Sequence, residues 1–331
     1  MDPVDTEELE EPPETGADSE TRSLQFPMAL HGERLDRALA ILVPEFSRNY
    51  LSQLVVDGAV TLSGRVVTRP AQRVRAMDTG SIELRPTPQS QAFLPEDLPI
   101  DVVYEDAHLL VVNKPAGLVV HPAPGHWRGT LLNGLLARDL QARHLPRAGI
   151  VHRLDKDTSG LMVVARSRQA MDALVSRIAA HEVDRRYVAL VHRPWSGPAQ
   201  RTVDAAIGRD PRNRLRMAVV DLARHSGKTA RTDFRLLDPG EAGALVHCTL
   251  HTGRTHQIRV HLASVGHPLV ADELYGGALA AGLTRQGLHA WQLAFEHPVT
   301  GAPMAFESPL PPDLAAAIAA WGLRYNGRQG L

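Results

Sequence analysis

Residues 149–166, GIVHRLDKDTSGLMVVAR, hold a dense polar cluster between two apolar runs. Ile150-Val151 precede it and Leu161-Met162-Val163-Val164 follow it. The cluster itself contains His152, Arg153, Asp155, Lys156, Asp157, Thr158 and Ser159. An aspartate among cations suggests carboxylate catalysis, because a positive neighbour keeps the carboxylate ionised and oriented at neutral pH. Arg153, Lys156 or an arginine distant in sequence would serve as that neighbour. Other chemistries fit less well. Asp155-x-Asp157-x-Ser159-Gly160 imitates the start of a calcium loop, but the twelfth position, which should be a bidentate glutamate, is Arg166. A phosphate cradle needs more glycine and a helix directly behind it. Asp155 and Asp157 stand too close in sequence to face each other across a sugar as a glycosidase pair. A charged hairpin tip built from good turn formers remains open beside the nucleophile reading.

Any such loop must be carried by strands and helices, and their signals are legible along the chain. In residues 32–45, Leu35, Leu39 and Leu42 recur at helical spacing and Pro44 ends the run. Ser47 caps a second helix with Leu51, Leu54 and Val55 inward, closed by Asp57-Gly58. Short β-rich runs follow, turning at Ser63-Gly64. Arg34, Arg37 and Arg48 stand in this unit among several other arginines, whose planar fork of donors suits phosphate. Residues 86–99 are a proline-rich linker. Beyond it the spacing predicts helices in GTLLNGLLARDLQARH, SRQAMDALVSRIAAHE and PPDLAAAIAAWG. It predicts a shorter one in RTHQIRVHLASVG, with Ile258, Leu262 and Val265 as its buried stripe. RRYVALVHRP, TARTDFRLLD and ALVHCTLHTG read as strands. Strands and helices mix without a strict alternation, so the expected class is α+β: a small N-terminal unit, then a larger domain with a mixed, mostly antiparallel sheet flanked by helices.

Composition narrows the function. The formal net charge is −1, but residues 1–22 carry nine acids and only Arg22 as a base, so the remaining chain carries +7. The body is basic, as for a polyanion binder, and residues 1–28 read as an acidic disordered tail that tempers non-specific contact. No run is long and apolar enough for a membrane helix, and the start lacks a signal-peptide pattern. The single cysteine, Cys248, excludes an internal disulfide and a multi-cysteine zinc site. His256 and His261 are five apart without a cysteine or carboxylate companion, so no metal is expected there. A cytoplasmic, monomeric protein is the expectation.

Residues 34–67, RLDRALAILVPEFSRNYLSQLVVDGAVTLSGRVV, resemble the S4 RNA-binding domain, with Ala59 and Ser63 departing from its commonest residues. HRLDKDTSGLMVVAR resembles the signature of the RluA-type pseudouridine synthases. Three further blocks agree: VVNKPAGLVVHPAPGHWRGTLLNGLL, LHTGRTHQIRVHLASVGHPLVADELYG and LHAWQLAFEHPVTG. The likeness is strongest to the branch acting on large-subunit (23S) ribosomal RNA. Two departures stand out, Ala271-Asp272-Glu273 for a more usual Gly-Asp-Pro/Lys and VHRPW at 191–195 for a glycine turn; neither is expected to touch a residue with an assigned role.

The resemblance implies an S4-like domain at 29–85, a catalytic domain at 100–322 and conversion of uridine to its C-glycoside isomer without a cofactor. It makes Asp155 the nucleophile acting on a flipped-out nucleotide. Whether Asp155 attacks sugar or base, or stabilises a deprotonated sugar, stays open. Arg153 would fill the vacated base position, its rival role being a surface charge paired with Asp157. Tyr187 would lie against the uracil and help remove the C5 proton. Arg259, about 100° round its helix from Ile258, would partner Asp155. The substrate would be free ribosomal RNA or an assembling large subunit. The rival readings are a non-enzymatic ribosomal-RNA-binding or assembly protein and a hydrolase that releases free uracil.

Overall fold

The computed structural model describes residues 19–85, 92–213 and 215–327. It divides into two compact units, Met1–Gln91 and Ala92–Leu331.

In the first unit, helices Leu35–Leu42 and Arg48–Val56 pack on a four-stranded antiparallel sheet. Strand order is Glu20–Gln25, Thr79–Leu84, Val60–Leu62, Arg65–Val66. Ser47 caps the second helix by accepting from the Tyr50 N–H. Leu35, Leu39, Leu51, Val55, Val60 and Ile82 are wholly buried between the layers. The tail expected over 1–28 is corrected here, because Glu20–Gln25 is an edge strand paired along its length with Thr79–Leu84. Its acids hide a two-residue alternation: Leu24 and Phe26 go to the core, while Arg22 pairs on the surface with Glu20 and Glu45. The rest of that expectation, residues 1–18, lies outside the described residues.

The second unit is built on a nine-stranded sheet in the order Val102–Glu105, Leu109–Lys114, Ser159–Ala165, Leu288–Glu296, Asp184–His192, Gly243–Leu250, Arg231–Pro239, Gln200–Asp204. Pro303–Glu307 pairs with the far half of Leu288–Glu296. Among the described residues, the one parallel pairing joins Ser159–Ala165 to Leu288–Glu296, and the other pairings in this sheet are antiparallel. Helices cover both faces. Tyr187, Ala189 and Val191 share a core with Leu131–Arg138 and Gln257–Ser264, while Val188 and Leu190 pack on Pro312–Ala320. Leu161 and Val163 pack on Arg168–Ala179, which Ser167 caps as expected. A separate three-stranded sheet, Met217–Val219, Ile207–Arg209, Gly227–Lys228, lies within the second unit.

The linker expected over 86–99 is corrected in its second half. Asn133, which closes a capping box with Thr130, donates its side-chain N–H groups to the carbonyls of Ala92 (3.1 Å) and Leu94 (2.8 Å). Glu96 accepts from Arg128 and the Gly129 N–H, so this proline-flanked stretch is tied to a helix start. Residues 86–91 lie outside the described residues.

Two buried histidines of the sheet, His247 and His289, are neutral, because burial depresses each to about 4. An unfolded histidine titrates near 6.5. The unfolded chain therefore takes up protons first as pH falls. The stability these groups contribute is complete above about pH 6.5 and is lost towards pH 4, by up to ~3 kcal/mol each. Urea-unfolding midpoints between pH 7.5 and 4.5 should decline accordingly; a flat profile would contradict the neutral assignment.

Candidate active site

Asp155 sits in the loop that leads from Ile150 into the strand Ser159–Ala165. The Thr158 N–H donates to the Asp155 carbonyl (3.1 Å), closing the turn. Four side chains fix it from outside. The ammonium of Lys114, only 1% exposed, donates to the carbonyls of Pro115 (2.8 Å), Leu118 (2.9 Å) and Lys156 (2.9 Å). Burial pulls its pKa down to about 7, with the charges of Asp157 and Asp155 acting against that shift. Arg285 donates to the Asp157 carbonyl (3.0 Å) and pairs with Asp313. Gln286 donates to the Thr158 hydroxyl (3.1 Å), and the Ser159 hydroxyl meets Nδ1 of His289 (2.9 Å). Gly160 has φ +116°, and a Cβ there would stand 2.1 Å from the Ala290 carbonyl oxygen. The parallel strand approaches so closely that only glycine fits.

The loop holds the Asp155 carboxylate 3.1 Å from Nη1 of Arg259. The two residues expected as partners, 104 positions apart, are thus in contact. Arg259 is held in turn by Asp272, whose two oxygens accept from Nε (2.7 Å) and Nη2 (2.8 Å). The Tyr275 ring lies below the guanidinium, 4.9 Å from its carbon, and the Tyr275 hydroxyl meets Nδ1 of His256 (2.8 Å). Burial opposes the Arg259 charge, but the carboxylates of Asp272 and Asp155 overcome it and hold the pKa above the ordinary arginine value. The expectation that Ala271-Asp272-Glu273 touches nothing with a role is therefore corrected. Ala271 takes a left-handed φ of +59°, which explains why glycine is the more usual residue there, and the turn it makes presents Asp272 to Arg259.

The helix Gln257–Ser264 also departs from its expected one-sided stripe, since Gln257 through Leu262 are all buried. Its polar residues are satisfied internally. Gln257 donates to the Arg231 carbonyl and the Thr232 hydroxyl, and His261 meets the Thr232 hydroxyl (2.9 Å) and the Ala205 carbonyl (3.0 Å). His256 and His261 thus serve as hydrogen-bonding residues, and among the described residues no cluster of potential metal ligands occurs.

Asp155 opens into a cleft of about 550 Å³ whose wall includes Arg147, Arg153, Arg185, Arg254 and Arg259. Among the described residues, Asp155 is the one acidic residue lining it. A cation-rich cleft with a single carboxylate suits a polyanionic substrate and a reaction centred on that carboxylate. Tyr187 projects into the same cleft, 5% exposed, and burial pushes its phenol up to about 12. Arg153 is exposed at the rim and forms no ion pair with Asp157 among the described residues. Lys156 turns away, its Nζ 3.5 Å from Nε2 of His126.

The other expected RNA contacts lie in the first unit. Arg34 and Arg48 both hold Asp36, at 3.0 and 2.6 Å, and Arg37 is 3.6 Å from Glu33. Hydrogen bonds from Arg34, then from Arg48, bring the buried Asp36 carboxyl down to about 2 against the effect of burial. The three guanidinium groups remain 40–58% exposed. Asp36 fixes two of them without covering them.

Sequence reading overlooked Lys114, Asp272 and Arg285. Each sits in a segment that reads as an ordinary loop or turn, and each acts outside it: Lys114 on a residue 42 positions away, Arg285 on one 128 away and Asp272 on one 13 away. Only the exchange of glycine for Ala271 marked one of these places in advance.

Comparison with known proteins adds an independent line. A family model described as RNA pseudouridylate synthase matches residues 108–264, and the S4 domain model matches 33–79. A protein of Xylella fastidiosa named ribosomal large subunit pseudouridine synthase D is 45% identical over 313 residues, covering 91% of this chain and 92% of that one. Its namesake in Neisseria meningitidis serogroup B is 43% identical over 314 residues, covering 91% of this chain and 82% of that one. Among solved structures, human RNA pseudouridylate synthase domain containing 1 aligns with a TM-score of 0.53 at 28% identity, covering 67% of this chain and 89% of that one. With this extent of identity, and with the S4 and catalytic folds both in place, the chain belongs to the RNA pseudouridylate synthase family.

Proposed function

We propose that this protein isomerises specific uridines of large-subunit (23S) ribosomal RNA to pseudouridine, with Asp155 as the nucleophile. The observation that carries the reading is the lone Asp155 carboxylate, braced by Arg259 at 3.1 Å, in an otherwise cationic cleft. The relatives named above supply the class of RNA. The reaction is an isomerisation: the bond between the sugar and N1 breaks, the base turns, C5 bonds to the sugar, and the proton lost by C5 is balanced by one gained at N1. No electrons or atoms are exchanged with a second reactant, so the proposed reaction calls for no redox cofactor or metal.

The target atom is inaccessible in stacked RNA, so the nucleotide must leave the stack. Exposed Arg153 at the cleft rim is suited to take the vacated position. Tyr187 offers a buried ring against which the uracil can lie; with its phenol pushed up to about 12, it passes a proton on rather than standing as a phenolate. Arg34, Arg37 and Arg48, half exposed and held by Asp36 and Glu33, are suited to backbone phosphates.

The test is to incubate the purified protein with unmodified large-subunit ribosomal RNA and map pseudouridine chemically. Conversion at discrete positions without free uracil is expected. Release of uracil would favour the hydrolase, and binding without conversion the non-enzymatic binder.

A further inference from the structure

Among the described residues, Arg185 is a buried cation with no ion-pair partner. It is 5% exposed, its Nε finds no hydrogen-bond acceptor, and no carboxylate pairs with it among the described residues. Arginine is almost never this buried unless paired, because an uncompensated buried charge is strongly destabilising. Its position is fixed: a Cβ on Gly253 would stand 2.9 Å from Nη1, so the guanidinium rests against the backbone of that turn. It lies two residues before Tyr187 on the strand Asp184–His192, so the two side chains share a face, and both line the Asp155 cleft. A second unpartnered donor lines the same cleft. His152 accepts the Val163 N–H at Nε2 (3.0 Å), which leaves the proton on Nδ1, and buried Nδ1 has no partner.

A site that keeps an unpaired guanidinium this deep is built for an anion that arrives with the substrate. Two anionic groups are candidates, a backbone phosphate and the uracil ring. A nucleotide entering base-first carries its phosphates towards the rim, where Arg153 is exposed. Arg185 instead sits at the depth of Tyr187, where the base goes. Each of the three roles left open for Asp155 makes the ring negative. When the sugar–N1 bond breaks, with Asp155 balancing the sugar or taking a sugar proton, the electron pair goes to N1 and spreads to O2 and O4. When the carboxylate adds to C6, a ring electron pair is displaced onto O4.

We propose that Arg185 is a further catalytic residue, whose guanidinium, helped by the His152 Nδ1–H, stabilises the negative charge that develops on the uracil ring. The charge is neutralised when C5 bonds to the sugar, loses its proton, and N1 is protonated. This inference rests on the reading of the cleft as the uridine site.

The test compares the parent protein with Arg185→Gln and Arg185→Lys in single-turnover assays on ribosomal RNA carrying uridine or 5-deuterouridine. Arg185→Gln should slow conversion by about 100- to 1,000-fold, the size typical of one lost charge-stabilising donor. Arg185→Lys should recover most of the rate. RNA affinity should stay within a few-fold, and the thermal midpoint of Arg185→Gln should equal or exceed that of the parent, since a buried unpaired charge has been removed. Deuterium at C5 should not slow the Gln variant, because the impaired step precedes loss of that proton. Three results would overturn the inference: an unchanged rate, a loss that lies in RNA affinity (a phosphate contact), or a new isotope effect (a role exerted through Tyr187). A parent that makes no pseudouridine would instead overturn the reading of the cleft. Should Arg185→Gln fail to fold, a folded Arg185→Lys as slow as Asp155→Asn would equally count against it.

Discussion

Asp155→Asn should lower pseudouridine formation by at least about a thousandfold, which is ~4 kcal/mol of barrier, and leave the protein folded and able to bind RNA. Asparagine has the shape of aspartate, and its side-chain oxygen can still accept from Nη1 of Arg259, so the loop should keep its form. It lacks the charge and the nucleophilic oxygen, and among the described residues the cleft holds no second acid to replace them. Single-turnover assays set against RNA affinity separate the effects. A variant that binds with parental affinity and still turns over within tenfold of the parent would remove Asp155 from its assigned role.

The second large effect is expected from Asp272→Ala. Asp272 is 1% exposed at its side chain and holds Arg259, itself 8% exposed, through two bonds of 2.7 and 2.8 Å. Breaking a buried pair by removing one partner typically costs about 3–5 kcal/mol. The remaining contact of Arg259 to Asp155 should place the loss near the lower figure. Activity should fall further than stability alone explains. Freed on one side, the guanidinium can swing about its single bond to Asp155, and an ångström of misplacement at a reacting group costs about a hundredfold. The expected pattern is a lower kcat with KM little changed, alongside a reduced urea midpoint. Parental kcat in a destabilised protein would show that Asp272 only supports the fold.

What the chain revealed in advance, and what it hid, follows from the range of the interactions. The caps at Ser47 and Ser167 and the turn at Ser63-Gly64 were legible because they are settled within a few residues. Asp155 stood out through the local density of polar groups, and Arg259 through a motif block of its own. Lys114, Asp272 and Arg285 gave no such signal. A lysine whose three donors are taken by carbonyls looks, in sequence, like any loop lysine. Periodicity misled at Gln257–Ser264 for a related reason. It separates polar from apolar positions, but not polar groups in water from polar groups paired inside. The edge strand at Glu20–Gln25 was masked because acidic composition outweighed an alternation only two apolar residues long.

The parallel pairing of Ser159–Ala165 with Leu288–Glu296, the one such pairing in its sheet among the described residues, also sets when the Asp155 loop is fully held. Antiparallel neighbours can be joined by a tight turn, but Ser159 meets His289 and Thr158 meets Gln286, partners 130 and 128 positions further along, only once that length of chain has been made and placed. Contacts of such sequence separation carry a large loop-closure cost and form late. On the ribosome that synthesises it, a chain lacking residues 285–289 would hold the Asp155 loop without three of its four outside braces, leaving Lys114 alone among them. The full bracing of the Asp155 loop thereby waits on residues 285–289, through topology alone.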